Sequence, residues 1–182
     1  MSAVAPFSHG VCLLQRLDEH GLGRRIRRAD LADAGDAGIY RGLLDAYARD
    51  PLGQGKPLPP HVLDKVVEDL RDHPAARLFL SFIDDSAIAF ATCFLGYSTF
   101  RAAPLLNIHD IAVLPEFRRR GVARQLLGFI ERQAREEGCC KLTLEVRQDN
   151  PAAESLYRAE GFGPADAGGR EIPYLFLEKT LH

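Results

Sequence analysis

The sequence predicts an α/β (α+β) domain, a mixed sheet covered by helices. Three observations carry that expectation: two β-rich runs meet at the short turn Asp84–Asp85–Ser86, two later strands are each followed by a helical stripe, and 46% of the 182 residues are apolar. A chain of this length and composition closes one core without a disulfide or metal staple.

Residues 1–22 mix Pro, Gly, Ser and His around "VCLLQRL" without clear periodicity and are expected to form an N-terminal extension. A single domain is expected over 23–182. "RRIRRAD" supplies its first strand, and Asp30 is placed to cap a helix running through "YRGLLDAYARD". "DPLGQGKPLPP" is punctuated by Gly and Pro and forms a long connection, a kind of loop that often carries function. In "HVLDKVVEDLRDH", Val62, Val66 and Leu70 recur four apart, which predicts a helix that Pro74 ends. "RLFLSFID" and "SAIAFATCFLGYST" follow as a hairpin. "LLNIHDIAV" is nearly continuous in apolar character, which predicts a central strand.

From Val122 the apolar positions 122, 126, 130 and 134 draw one helical stripe, closed by Gly138. Gly128 inside that helix costs roughly 1 kcal/mol relative to Ala, so close packing is expected there. "KLTLEV" alternates with the strand period. Asn150 then caps a helix whose first residue, Pro151, has no N–H to leave unbonded, and Gly161 ends it. "YLFLEKT" supplies the last strand.

The formal charge of −2 creates no global field for nucleic acid or an anionic membrane. No apolar run approaches the ~18 residues of a membrane span, and no leader pattern opens the chain, so a cytoplasmic protein is expected. Cys12, Cys93, Cys139 and Cys140 contain no C-x-x-C pair. Free thiols and no metal are therefore expected.

The informative stretch is "PEFRRRGVARQLL". A helix starting at Val122 leaves its first N–H groups unpartnered and carries the positive end of its dipole, while Gly121 and Ala123 let an anion approach the backbone. Taken alone, "RRRG" reads equally as a solvated charge run. "GQGKP" and "GLGRRI" fail as phosphate motifs, the first for want of Ser or Thr after Lys, the second for want of a third small residue.

The run Arg118-Arg119-Arg120-Gly121-Val122-Ala123 resembles the acyl-CoA-binding signature of the GCN5-related N-acetyltransferases: Arg or Gln, two residues, Gly, one residue, Gly or Ala. It follows a strand, "IHDIAV", and a Pro-x-Phe turn, as in that family. A second family block, "DNPAAESLYRAEGF", comes at the matching distance with Asn150, Ala153, Tyr157, Gly161 and Phe162 in place. The resemblance is strongest over 105–163. It implies a mostly antiparallel twisted sheet with splayed central strands, and acetyl-CoA as co-substrate. The pyrophosphate would rest on the turn Arg119, Arg120, Gly121, Val122, Ala123 and Arg124, with Arg118 and its neighbours supplying charge. The pantetheine arm would lie between "NIHDIAV" and "KLTLEV", bonded to Ile111 and Val113, and an N–H at or beside Ile111 or Ala112 would hold the oxyanion.

Acyl transfer to an amine also needs a proton for the departing thiolate and a base for the ammonium. Tyr157 lies seven residues after Asn150 and four after Ala153, on one helix face. Spacing alone makes it a packing aromatic beside Leu156; its place in the family block implies the proton donor. Asn150 has two readings, helix cap and partner of the pantetheine arm. His109 is the catalytic candidate for the base because its ordinary pKa suits the task, although a lone His in an apolar strand is more often structural. His109 and Asp110 are consecutive and expected on opposite faces, with Asn107 on the face of His109. No glutamate lies at 107–110, which leaves the base among His109, Asp110 and water. Cys139 and Cys140 sit at a turn without a nearby His, which argues against a covalent route.

Asp45, Tyr47, Tyr97, Phe100 and the 49–60 connection are candidates for the acceptor surface. The expected partners are acetyl-CoA and an unidentified primary amine, of a small molecule or alternatively of a peptide or protein. A non-catalytic acyl-CoA sensor is a third reading. Neither nucleic acid nor membrane is expected as a partner, and the assembly expected is a monomer or homodimer.

Overall fold

The computed structural model describes residues 14–17, 23–163 and 177–181. Strand β1 (Leu14–Leu17) and strand β2 (Gly23–Arg28) precede two helices, α1 (Ala34–Arg49) and α2 (Pro60–Arg71). Strands β3 (Ala76–Ile83), β4 (Ser86–Ser98) and β5 (Ala103–Val113) follow, then helix α3 (Val122–Glu136), strand β6 (Leu142–Leu144) and helix α4 (Pro151–Ala159). The six strands form one sheet in the order β1 to β6, antiparallel as far as β5, with β6 parallel to β5. Part of the expected extension thus joins the sheet, because β1 pairs with β2 along its whole length. The final strand expected at 174–180 lies outside the described residues over 174–176, and 177–180 carry no regular structure.

Alternation along the strands divides the core into two layers. Phe79, Ile88, Ala91, Leu106 and Ile108 pack with Val122, Leu126, Phe129 and Ile130 of α3. Leu78, Leu80, Phe82 and Phe90 face Tyr40, Leu43 and Leu44 of α1 and Leu63 and Val67 of α2. Covered on both faces, β3 and β4 are apolar on both sides along most of their length, with Ser81 and Thr92 as buried polar exceptions. Leu126 and Ile130 are fully buried, each worth about 1.5–3 kcal/mol. The Asp84–Asp85 turn joins β3 to β4, with Asp84 at φ 49°, a left-handed conformation that Asp tolerates.

Three local expectations change. Asp33, not Asp30, caps α1, its carboxylate accepting from the Asp36 N–H at 2.9 Å, whereas Asp30 accepts from Ala32 N–H in the preceding turn. Gly128 has no close neighbour, and the atom nearest to an added Cβ would be Arg132 Nη1 at 3.9 Å, so packing does not require glycine there. "KLTLEV" forms a strand only over Leu142–Leu144. Gly138 does close α3: at φ 72° it donates to Arg135 O, while Cys139 N–H reaches Ala134 O. No helix among the described residues is long and apolar enough to cross a membrane.

The start of α1 is tied to β2 by a buried ion pair. Arg27 donates through both terminal nitrogens to Asp36, which also accepts from Asp30 N–H at 2.8 Å. Burial pushes the Asp36 carboxyl up, but the bonds from Arg27 and Asp30 outweigh it and hold the group below the usual carboxylate range. Its stabilisation is complete above the ordinary pKa and disappears as pH falls through the lowered one. Arg27→Met is expected to cost about 3 kcal/mol at pH 7, because it strands a buried carboxylate. The gap should close in acid as Asp36 protonates. A gap that is unchanged from pH 7 to pH 3 in denaturant titrations would assign the loss to packing instead.

Candidate active site

The site is built where the sheet opens. Strand β6 pairs with β5 only at Leu106–Ile108, and beyond these residues the two strands part. A cavity of about 620 Å³ fills the gap, lined by β5, the turn before α3, the residues after β6, the inner face of α4, and Tyr47, Asp50 and Leu52 from the opposite side.

A β-bulge directs what β5 offers to this gap. Thr92 pairs with Asp110 but Cys93 pairs with Ile108, which leaves His109 as the extra residue. The side-chain phase changes there: Leu106 and Ile108 face α3, and so do Ile111 and Val113. His109 and Asp110 therefore share a face, contrary to simple alternation. His109 meets the Phe94 ring edge-on with the ring centres 5.6 Å apart, and Asp110 pairs across the sheet with Thr92, two residues from Phe94 on β4. The Asn107 side chain instead donates across the sheet to Thr143 Oγ1 at 3.1 Å.

Backbone direction follows from two bonds. Leu114 N–H donates to Ile88 O on the β4 side, and Val113 O accepts from Arg118 Nε at 2.9 Å on the other side. Alternation then turns Ile111 and Val113 toward the gap and Ala112 toward β4. Of the three, Ala112 contributes only its side chain to the cleft.

At the far end, α3 begins at Gly121 with φ 75°, without a side-chain cap and without an acidic residue in its first turn. Gly121, Val122, Ala123 and Arg124 line the cavity, so its floor is a set of N–H donors at a positive dipole end. Arg119, at φ 63°, is a non-glycine residue in the left-handed region, a strained conformation of the kind stored at binding turns.

The other arginines of the run are committed elsewhere. Arg118 donates to Asp50 at 2.6 Å as well as to Val113 O, so it clamps β5 to the end of α1 rather than presenting a free charge. Arg120 lies outside the cleft lining, with its guanidinium over the Phe117 ring at 5.7 Å and its carbonyl accepting from Arg24. Arg124 is paired with Glu160 at 2.7 Å.

Helix α4 supplies the opposite wall. Asn150 is the helix cap: its Oδ1 accepts from Ala153 N–H at 3.1 Å, which leaves its amide N–H groups for any other partner. Tyr157 lines the cleft with its ring set edge-on to Phe162, the ring centres 5.9 Å apart, and its hydroxyl has no hydrogen bond among the described residues. Burial, with a smaller contribution from Tyr47, pushes its pKa up to about 12, so the hydroxyl stays protonated through the neutral range. The Cys93, Cys139 and Cys140 side chains are not part of the cleft lining. Cys139 and Cys140 line a separate hollow beside α3, and burial pushes Cys139 and Cys93 up, away from the thiolate.

Of the acceptor candidates, Tyr47 lines the cleft, while Asp45 is occupied by Arg49 and Leu58 N–H. Tyr97 and Phe100 are exposed at the outer end of β4, away from the cleft lining. Asp50 and Leu52 line the cleft from the 49–60 connection, whereas Arg147 is a lining residue that sequence reasoning missed. Arg147 donates to Gly53 O, and Asp50 holds Arg118, so both splayed strands are stapled to the 50–58 loop.

Residues 40–162 match the model of the acetyltransferase (GNAT) family. An aminoglycoside N(6')-acetyltransferase of Salmonella typhimurium is 30% identical over 126 residues, which span 68% of this chain and 82% of that protein. The [ribosomal protein bS18]-alanine N-acetyltransferase of Haemophilus ducreyi is 37% identical over 94 residues, 51% of this chain and 61% of its own. Among solved structures, an aminoglycoside N-acetyltransferase in complex with CoA superposes with a TM-score of 0.68 at 25% identity, covering 90% of this chain and 99% of that one. A Clostridium difficile protein described as a possible acetyltransferase has the same fold, with a TM-score of 0.71 at 22% identity over 87% of this chain and 99% of its own.

Proposed function

The chain belongs to the acetyltransferase (GNAT) family and is an acetyl-CoA-dependent N-acetyltransferase; on that premise we propose that it transfers acetyl directly to a primary amine of a small polar molecule of the amino-sugar kind. The observation that carries this reading is the convergence on one cleft of an uncapped helix N-terminus, two parted strands and an unbonded Tyr157 hydroxyl.

The pyrophosphate rests on the N–H groups of Gly121 to Arg124, with Arg119 adding charge. The pantetheine amides bond to Ile111 and Val113, with the Asn150 amide beside them. Ile111 N–H faces the gap and stabilises the oxyanion as the amine attacks the thioester carbon. His109 takes the ammonium proton directly or through water, and Tyr157 protonates the departing thiolate. No step needs a protein thiol.

A peptide amine is the second reading, favoured by the 37% likeness to an enzyme named for an N-terminal alanine. One experiment separates the two: acetyl-CoA turnover against aminoglycosides, linear polyamines and a peptide beginning with alanine. Turnover confined to the aminoglycosides and polyamines is expected. Turnover of the peptide alone would replace the small-molecule reading, and CoA binding without turnover of any amine would leave a sensor.

A further inference from the structure

The turn that opens α3 is held from its buried side by a residue of β2. Arg24 is 6% exposed and is not part of the cleft lining. It shares a face of the sheet with Ile26, which packs in the α3 layer of the core. From there its Nη1 donates to the Arg120 carbonyl at 2.9 Å and to Gln125 Oε1 at 3.2 Å. Gln125 belongs to the first turn of α3, where its N–H is bonded to the Gly121 carbonyl at 3.0 Å. One guanidinium nitrogen thus spans the turn, from the residue before Gly121 to the first turn of the helix after it.

The bond to the Arg120 carbonyl sets the direction of an N–H. In a trans peptide the carbonyl and the N–H of the next residue point opposite ways. With the Arg120 carbonyl turned inward to Arg24, the Gly121 N–H is turned outward, and Gly121 lines the cleft. Sterics of the turn itself do not fix this choice. Gly121 sits at φ 75°, but glycine takes positive and negative φ with nearly equal ease, so the Arg120–Gly121 peptide is free to rotate and to offer its carbonyl to the cleft instead. A carbonyl oxygen there would meet the pyrophosphate with its negative end. Arg119, at φ 63°, leaves strain on the other side of Arg120, and a strained turn persists only where its surroundings hold it.

We propose that Arg24 is a positioning residue of the donor site: by holding the Arg120 carbonyl inward it keeps the Gly121 N–H aimed at the pyrophosphate of acetyl-CoA, and Gln125 keeps the guanidinium in place. This rests on the reading that the pyrophosphate lies on this turn. Arg24 acts through a peptide group and not by contact with the donor, so its effect is confined to the part of the donor that the turn holds. A residue that only tied β2 to α3 would affect every donor alike.

The test therefore compares two donors. Acetyl-pantetheine carries the thioester and the arm of acetyl-CoA but ends before the pyrophosphate. A hydrogen bond to a charged group is worth on the order of 10- to 100-fold in affinity. Arg24→Met is expected to raise the KM of acetyl-CoA about 30-fold with kcat at saturating donor unchanged, and to leave kcat/KM for acetyl-pantetheine within about threefold of wild type. Arg24→Lys, which keeps a donor on this strand, should recover most of the loss, and Gln125→Met, which removes one of the two acceptors, should raise the KM of acetyl-CoA about threefold. Calorimetric titration with CoA and with pantetheine makes the same comparison without turnover, and circular dichroism shows that each variant is folded. Should Arg24→Met not fold, Gln125→Met carries the comparison between the two donors.

Equal losses with both donors would make Arg24 a structural tie and overturn the proposal, and so would an unchanged KM for acetyl-CoA. Wild-type protein that binds CoA no more tightly than pantetheine would instead take the pyrophosphate off the turn, which is a failure of the underlying site and a different result from either.

Discussion

Gly121→Glu is expected to weaken CoA binding by about 1000-fold, while Gly121→Ala loses no more than about tenfold. The two variants share the cost of a side chain at φ 75°, roughly 1–2 kcal/mol. They differ in charge, since a Cβ at this position meets nothing within 4 Å and a glutamate would extend freely at the mouth of the helix. A carboxylate about 4 Å from a phosphate is repelled by about 4 kcal/mol at the effective dielectric of a protein surface, which is roughly three decades of affinity. Calorimetry on both variants, with circular dichroism to show that each is folded, makes the comparison. Undiminished binding by Gly121→Glu would move the pyrophosphate off this turn.

Tyr157→Phe is expected to lower kcat by about 100-fold and leave CoA affinity unchanged. The ring keeps its edge contact with Phe162, and α4 keeps the closing bond from Phe162 N–H to Tyr157 O at 2.9 Å, so only the hydroxyl is lost. About 100-fold is the lower end of what a positioned general acid contributes. With a pKa near 12 the hydroxyl remains a donor over the working range. A thiol has an ordinary pKa near 8.5, so above that pH the thiolate leaves unaided and the deficit should shrink. Wild-type turnover by Tyr157→Phe from pH 6 to 9, with chemistry shown to limit the rate, would make the tyrosine a packing aromatic and water the acid.

The helices and the hairpin were legible because each follows from a period or a punctuation mark: the stripe from Val122, Pro151 after Asn150, Gly138 and Gly161 at left-handed caps. The cleft was legible as a turn and two strands because its parts are contiguous in sequence. What escaped depended on contacts far apart in the chain. Nothing near Arg118 announces Asp50, 68 residues away, so the clamp it forms there was not legible beside the charge it brings to the cleft. The bulge left no local mark either. "IHDIAV" alternates acceptably on paper, and only pairing with Thr92 and Cys93 shows that His109 is the extra residue and that Asp110 turns to its side. Asp30 and Asp33 both precede α1, and choosing between them requires knowing that Asp36 is held by Arg27 from β2.

The two staples on the 50–58 loop have a thermodynamic corollary. Arg118, at the end of β5, holds Asp50, and Arg147, beyond β6, holds the Gly53 carbonyl, so the loop is a tie-rod across the strands between which the pantetheine is proposed to lie. Gly53 also packs so closely on α1 that an added Cβ would fall 2.2 Å from the Tyr47 carbonyl, which fixes the rod to the helix that brings Tyr47 to the cleft. A donor that fixes the spacing of the strands then removes freedom from the loop, and by reciprocity an acceptor that orders the loop tightens the donor by the same factor. The coupling is readable as slowed amide hydrogen exchange at Gly53 and Gln54, which donate to Asp50 O and Ala48 O, when CoA is added. Exchange there that ignores CoA would mean that the rod carries no load.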